Sequence, residues 1–179
     1  MNDLKHIKLL ILDCDGVLSD GKIIYTEEGW ESKSFSVADG LGLSLLSFTE
    51  IKCAVITGRR SLALERRCRD LKIDYLFQGV RNKRAVIEDI LQELSLAWEN
   101  AAYMGDDWND FPALTKAGLP AAPQQAAAEI KEKAEFVSRF RGGEGAVREF
   151  IEYILRKQGI FEEVIEKFII RLSEDEEDH

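Results

Sequence analysis

Lys8-Leu9-Leu10-Ile11-Leu12 runs directly into Asp13-Cys14-Asp15-Gly16. Four consecutive apolar residues after the lysine predict a strand buried on both faces, because a strand with one wet face would alternate. Ala54-Val55-Ile56, after Cys53, has the same character, and Tyr75-Leu76-Phe77 and Ala101-Ala102-Tyr103-Met104 extend the series. Amphipathic stretches separate these runs. From Asn82 to Ser95, Val86, Ile87, Ile90, Leu91 and Leu94 recur at three and four, which is one helix face, with Asn82 as its N-cap. Ser61 to Leu71 and Gln124 to Lys133 give two further helices. Another carries Val147, Phe150, Ile151, Ile154 and Leu155, and a last one runs from about Ile160 through Phe161, Val164, Ile165, Phe168 and Ile169. Strands alternating with helices predict an α/β fold, a parallel sheet covered on both faces.

One segment breaks the alternation. Lys22 to Thr26 and Glu31 to Val37 suggest two strands around a turn at Glu27-Glu28-Gly29-Trp30, a β-hairpin over about 20–38 inserted after the first strand. Phe35 and Val37 alternate with Ser34 and Ser36, giving the second strand one apolar face. Such a hairpin either folds back on the domain or pairs with copies of itself. The chain divides into one domain over 1–172 and an acidic, solvated tail over 173–179 that contains Glu174-Asp175-Glu176-Glu177-Asp178.

Composition narrows the function. Of 179 residues, 45% are hydrophobic, too many for a disordered chain. No apolar run approaches the roughly 20 residues of a membrane span, so no membrane partner is expected. The net charge of −9 argues against nucleic acid. Cys14, Cys53 and Cys68 lack zinc-ligand spacing and are too scattered for a disulfide framework. With no signal-peptide plan at the start, the expected location is a reducing cytoplasm.

The chemistry lies where strands end, because open parallel sheets bind ligands beyond the carboxyl ends of their strands. Asp13 and Asp15 crowd negative charge on a turn and repel unless a cation sits between them. Hard oxygen donors favour Mg²⁺. Taken alone, Asp-x-Asp-Gly is also ordinary turn chemistry. However, Gly105-Asp106-Asp107-Trp108-Asn109-Asp110 follows a second strand. If both strands are central and parallel, Asp106 completes the cation site, while Asp110, with Asp107, supports the ligands from behind. Thr57-Gly58-Arg59 ends a third strand, and a hydroxyl beside a glycine amide can bind a phosphoryl oxygen. Lys83 opens a helix, where a cation is unfavourable without compensation from phosphate or carboxylates.

In this order the four clusters resemble the haloacid dehalogenase superfamily of phosphoryl-transfer enzymes. Asp13-Cys14-Asp15-Gly16-Val17 is similar to its first motif, Thr57 to its second, Lys83 to its third and Gly105-Asp106-Asp107-x-x-Asp110 to its fourth. Asp13 to Gly21, Gln78-Gly79-x-x-Asn82-Lys83 and Gly142 to Glu149 further resemble the capless branch acting on phosphorylated sugar acids, from about Lys8 to Gly159.

The resemblance implies a Rossmann-like sheet and Mg²⁺ held by Asp13, the Asp15 backbone carbonyl and Asp106. It implies Asp13 as nucleophile, forming an aspartyl-phosphate, and Asp15 as general acid and then base. Thr57, Gly58 and Lys83 would bind the phosphoryl group, and Asn82 would face the substrate. Arg59 would pair with a sugar-acid carboxylate, 3-deoxy-D-manno-octulosonate 8-phosphate being the implied ester and a nine-carbon sialic-type 9-phosphate the alternative. It also implies a homotetramer through the hairpin and a place in lipopolysaccharide biosynthesis. A phosphomutase, a phospho-acceptor signalling domain and a non-catalytic assembly module of the same fold are the competing classes. The module would need none of the five residues Asp13, Asp15, Thr57, Lys83 and Asp106.

Overall fold

The computed structural model describes residues 4–29 and 31–177. In chain order its elements are β1 (Leu9–Leu12), β2 (Ile24–Tyr25), β3 (Glu31–Ser32), α1 (Val37–Leu45), β4 (Lys52–Thr57), α2 (Leu62–Asp70), β5 (Tyr75–Gln78), α3 (Lys83–Glu93), β6 (Ala101–Met104), α4 (Phe111–Leu114), β7 (Leu119–Ala122), α5 (Ala128–Lys133), β8 (Phe136–Val137), α6 (Ala146–Gln158) and α7 (Phe161–Glu177). Six strands form one sheet in the order β5-β4-β1-β6-β7-β8, with every pairing parallel.

The apolar run of β1 is continuous because both its faces are covered. Leu9 and Ile11 join Ala54, Ile56 and Tyr103 under α3, α4 and α5, through Ile87, Ile90, Leu114 and Ile130. Leu10 and Leu12 join Cys53, Val55, Ala102 and Met104 under α1, α2, α6 and α7, through Leu43, Leu64, Phe150, Ile154 and Val164. From β1 the chain steps outward to β4 and β5, then crosses back to β6 and steps outward the other way to β7 and β8. The direction of winding therefore reverses between β1 and β6, and this opens a crevice at their carboxyl ends.

Several expectations need correction. The second hairpin strand ends at Ser32 rather than Val37. The Ser36 side chain accepts from the Asp39 amide and starts α1 there, so Val37 is exposed while Phe35 packs on the core. Gly40 and Gly42 masked α1 by lowering its helix propensity. Pro120 disguised β7, and β8 is only two residues long. The Gln124–Lys133 helix begins at Ala128. α7 continues to Glu177, past the 172 boundary, in keeping with the good helix propensity of glutamate. The turn residue Trp30 and the last tail residues, 178–179, lie outside the described residues.

A buried acid joins α1 to α6. The carboxylate of Asp39 accepts from the amides of Arg148 at 2.8 Å and Gly145 at 3.2 Å. It thus caps a helix whose own N-cap, Gly145, has no side chain to do so. Burial pushes the Asp39 carboxyl above the ordinary range, against the pull of those amides. Asp39→Ala leaves both donors unpaired and should lower unfolding stability by about 1–3 kcal/mol, read from the midpoint of urea denaturation. An unchanged midpoint would mean that water replaces the cap without loss.

Candidate active site

β1 and β6 are adjacent and parallel, so the residues that leave them meet. The Asp13 amide donates to the Met104 carbonyl at 3.1 Å, which carries the ladder one step past β1. Carboxylate oxygens of Asp13, Asp106 and Asp110 all lie within 4.8 Å of one another. Gly16 makes this approach possible. Its φ is +86°, and a Cβ there would sit 1.9 Å from Oδ2 of Asp106.

One ammonium group faces the three carboxylates. Lys83 Nζ lies 2.7 Å from Asp13 Oδ1 and 2.6 Å from Asp110 Oδ1, and its side chain is 4% exposed. The compensation expected for a cation at a helix start therefore comes from carboxylates. Asp110 is fully committed. Its Oδ1 also accepts from the Tyr103 hydroxyl at 2.7 Å, and its Oδ2 accepts from the Asp106 amide at 2.9 Å. It acts as an orienting group behind the cluster, whereas Asp13 and Asp106 keep oxygen atoms free to hold a metal.

The charge balance shows in the acidities. Burial, with Asp110 adding and Lys83 opposing, raises Asp13 to about 6. Burial, then Asp13 and Asp110, raises Asp106 to about 7. Lys83 is raised above the usual lysine value, since Asp13 and Asp110 outweigh the effect of its burial. Three carboxylates against one ammonium leave a negative site of hard oxygen donors. That donor set fits Mg²⁺ or a similar divalent cation.

A cleft of about 270 Å³ opens over this cluster, lined by Asp13, Asp15, Thr57, Gly58, Arg59, Asp106 and Asp107, with Gly21 and Asn109. Gly21 and Asn109 were not anticipated. Thr57 is buried, at 3% exposure, and its Oγ1 accepts from the Arg59 amide at 3.3 Å. Asp107 caps the turn at Trp108–Asp110 by accepting from the Trp108 amide at 2.8 Å. Asn82, expected at the substrate, does not line the cleft. Its side chain accepts from the Ala85 amide at 3.2 Å and caps α3. Cys14 is wholly buried with Cys53 and Cys68 on the α6 side of the sheet, and burial pushes all three thiols up, Cys68 to about 12.

The rim is built by the hairpin. Lys33, whose side chain is 1% exposed, pairs with Asp15 Oδ1 and lies 3.2 Å from Glu31 Oε1. Arg59 reaches Glu31 Oε2 at 2.7 Å and Asp15 Oδ2 at 4.0 Å, and it donates to the Tyr25 hydroxyl at 3.4 Å. The surroundings of Asp15 are therefore cationic, and Arg59 already holds a carboxylate of its own chain. Lys33, too, was not anticipated from the sequence. Eighteen positions separate it from Asp15, and no spacing rule links a hairpin lysine to a turn aspartate.

A family model described as haloacid dehalogenase-like hydrolase matches residues 73–151. The 3-deoxy-D-manno-octulosonate 8-phosphate phosphatase KdsC of Escherichia coli K12 is 44% identical over 159 residues, covering 89% of this chain and 85% of that protein. The Moraxella catarrhalis 3-deoxy-D-manno-octulosonate 8-phosphate phosphatase, crystallised with magnesium, phosphate and KDO, superposes with a TM-score of 0.89 at 39% identity, covering 93% and 95% of the two chains. The cobalt-bound deoxy-D-mannose-octulosonate 8-phosphate phosphatase of Haemophilus influenzae gives 0.85 at 39% identity, covering 89% and 94%.

The acidities of Asp13 and Asp106 set a pH dependence for metal binding. Both carboxylates must be ionised to act as ligands, so protons compete with the cation below the raised values. Affinity for Mg²⁺ should be full above about pH 8 and should fall by up to about tenfold per unit as pH drops through 7 towards 6. Calorimetric titration across that range checks it, and a flat profile would contradict the assignment of these two ligands.

Proposed function

The chain belongs to the haloacid dehalogenase-like hydrolases, and on that premise we propose that it is a Mg²⁺-dependent phosphatase whose substrate is a sugar-acid phosphomonoester, 3-deoxy-D-manno-octulosonate 8-phosphate. The observation that carries this reading is the meeting of Asp13, Asp106, Asp110 and Lys83 at the ends of β1 and β6, below a cleft whose far wall is Thr57-Gly58.

The steps follow from the positions. Asp13 attacks phosphorus, the bond from phosphorus to the sugar oxygen breaks, and Asp15 supplies the proton that the leaving oxygen takes up. Water then attacks the phosphoaspartate, Asp15 accepts its proton, and inorganic phosphate leaves with Asp13 restored. The Thr57 hydroxyl and the Gly58 amide bind phosphoryl oxygens, and Lys83 neutralises charge beside Asp13. Asp13 and Asp106, with the Asp15 carbonyl, would hold Mg²⁺, whose positive charge would offset the repulsion between nucleophile and phosphate. Asp110 keeps Lys83 and the Asp106 loop in place. Lys33 fixes Asp15 at the rim.

Among the described residues, the segment between β1 and β4 carries the hairpin, α1 and two short helical turns, and no separate cap domain covers the cleft. The hairpin exposes Ile23, Ile24 and Tyr25, and among the described residues its strands pair only with each other. Assembly of four chains through these hairpins would bury that apolar surface and close the rim. No helix among the described residues is long and apolar enough to cross a membrane. With three buried free cysteines, a reducing cytoplasm is the proposed location.

Phosphate release is the test, with and without Mg²⁺, on the octulosonate 8-phosphate, a nine-carbon sugar-acid 9-phosphate and a simple sugar phosphate. Metal-dependent preference for the octulosonate ester is expected. Preference for the nine-carbon ester would keep the mechanism and change the substrate. No release from any of them by folded protein would overturn the reading in favour of an assembly module or a mutase. Asp13→Asn should abolish turnover while leaving the melting temperature near that of the unaltered chain, and full activity in it would sink the nucleophile assignment. Sedimentation equilibrium should give four times the mass of the chain, and a monomer would overturn assembly through the hairpin.

A further inference from the structure

Three loops converge on the peptide of Gly16. One is the turn after β1, which follows Asp13 and Asp15. A second is Gly142-Gly143 ahead of α6. The third is the stretch after β7 that contains Gln125. The side-chain amide of Gln125 makes two bonds there, donating from Nε2 to the Gly16 carbonyl at 2.7 Å and accepting from the Gly142 amide at Oε1 at 2.9 Å. A side-chain amide offers a donor and an acceptor side by side without charge at any ordinary pH.

The same stretch grips the other metal-ligand loop. Two residues further on, the Ala127 amide donates to the Asp106 carbonyl at 2.9 Å. One turn, Gln125 to Ala127, therefore holds the backbone of Gly16 and the backbone of Asp106 together. The Gly16 peptide has little freedom between these contacts. On one side its Cα faces the Asp106 carboxylate, and on the other its carbonyl oxygen would lie 1.8 Å from a Cβ placed on Gly142.

We propose that Gln125 is a positioning residue for the metal site, setting the separation of Asp13 and Asp106 through the Gly16 peptide. The inference rests on the reading that Asp13 and Asp106 hold the divalent cation. Its effect is on ligand spacing, so removal should weaken cation binding more than it unfolds the chain. Partners that orient metal ligands typically contribute about 10–100-fold in affinity, and Gln125 acts one contact further out, so a loss of about three- to tenfold is expected.

The test uses Mn²⁺ as the probe, with free ion measured by electron paramagnetic resonance, on Gln125→Ala, Gln125→Met and the unaltered chain. Gln124→Met, at an exposed neighbouring position, is the control. Methionine keeps the volume of glutamine and removes both bonds, so it separates hydrogen bonding from packing and guards against a poorly folded alanine variant. The expected result is a three- to tenfold weaker Mn²⁺ affinity in both Gln125 variants, none in the control, and a matching rise in the Mg²⁺ concentration that half-saturates turnover while kcat at saturating Mg²⁺ stays within about twofold. Unchanged Mn²⁺ affinity in Gln125→Met, with or without a lower melting temperature, would overturn the proposal and leave Gln125 a packing residue. Failure of the unaltered chain to bind Mn²⁺ would instead overturn the assignment of Asp13 and Asp106 beneath it.

Discussion

The repulsion among Asp13, Asp106 and Asp110 is the constraint to which the rest of the structure answers. Three carboxylates within 4.8 Å, largely out of water, are tolerable only with positive charge between them. Lys83 supplies one charge from the start of α3, where the helix itself disfavours a cation. Asp110 absorbs its share by spending both oxygens on Lys83, Tyr103 and the Asp106 amide. What remains, on Asp13 and Asp106, is a deficit of positive charge shaped for a small hard cation. The winding of the sheet is what brings these groups together, since only strands on either side of the reversal deliver two acidic loops to one crevice.

Much of this was legible because it is written in short range. A continuous apolar run ending in acids marks a buried strand leading into a site, and it happens at both Leu9–Leu12 and Ala101–Met104. The Asn82 cap lies where residue type and spacing put it, and the helix expected from Ser61 begins at Leu62 with Ser61 as its cap. The illegible parts depend on distant contacts. α1 is held by Ser36 at one end and tied to α6 by Asp39, while its own sequence carries two glycines. Lys33 and Gln125 touch the site from segments 18 and 109 residues from their partners, and neither belongs to a recognisable pattern. Asn82, adjacent to Lys83 in sequence, turns its side-chain oxygen to the Ala85 amide and caps α3.

The rim and the floor of the cleft are built by different means. The floor is rigid, with strand ends, buried hydrogen bonds and a glycine held against a carboxylate. The rim is a two-residue-stranded hairpin joined to the floor through ion pairs, Lys33 with Asp15 and Arg59 with Glu31. Asp15, the side chain proposed to exchange protons during turnover, is thus held by a part of the chain with few apolar anchors. That arrangement suits a site in which the hairpin, in place of a separate cap, decides how closely water and substrate approach Asp15.

Cys14 sits within the turn that carries Asp13 and Asp15, yet its thiol faces the core on the α6 side, and burial holds it protonated. A thiol so placed is poorly nucleophilic and out of reach of oxidants and alkylating reagents while the sheet is intact. It becomes reactive only when the end of β1 opens, and that same opening disperses the acidic cluster. Labelling of Cys14 therefore reports on the integrity of the turn that carries Asp13 and Asp15, from the side of the sheet opposite the cleft.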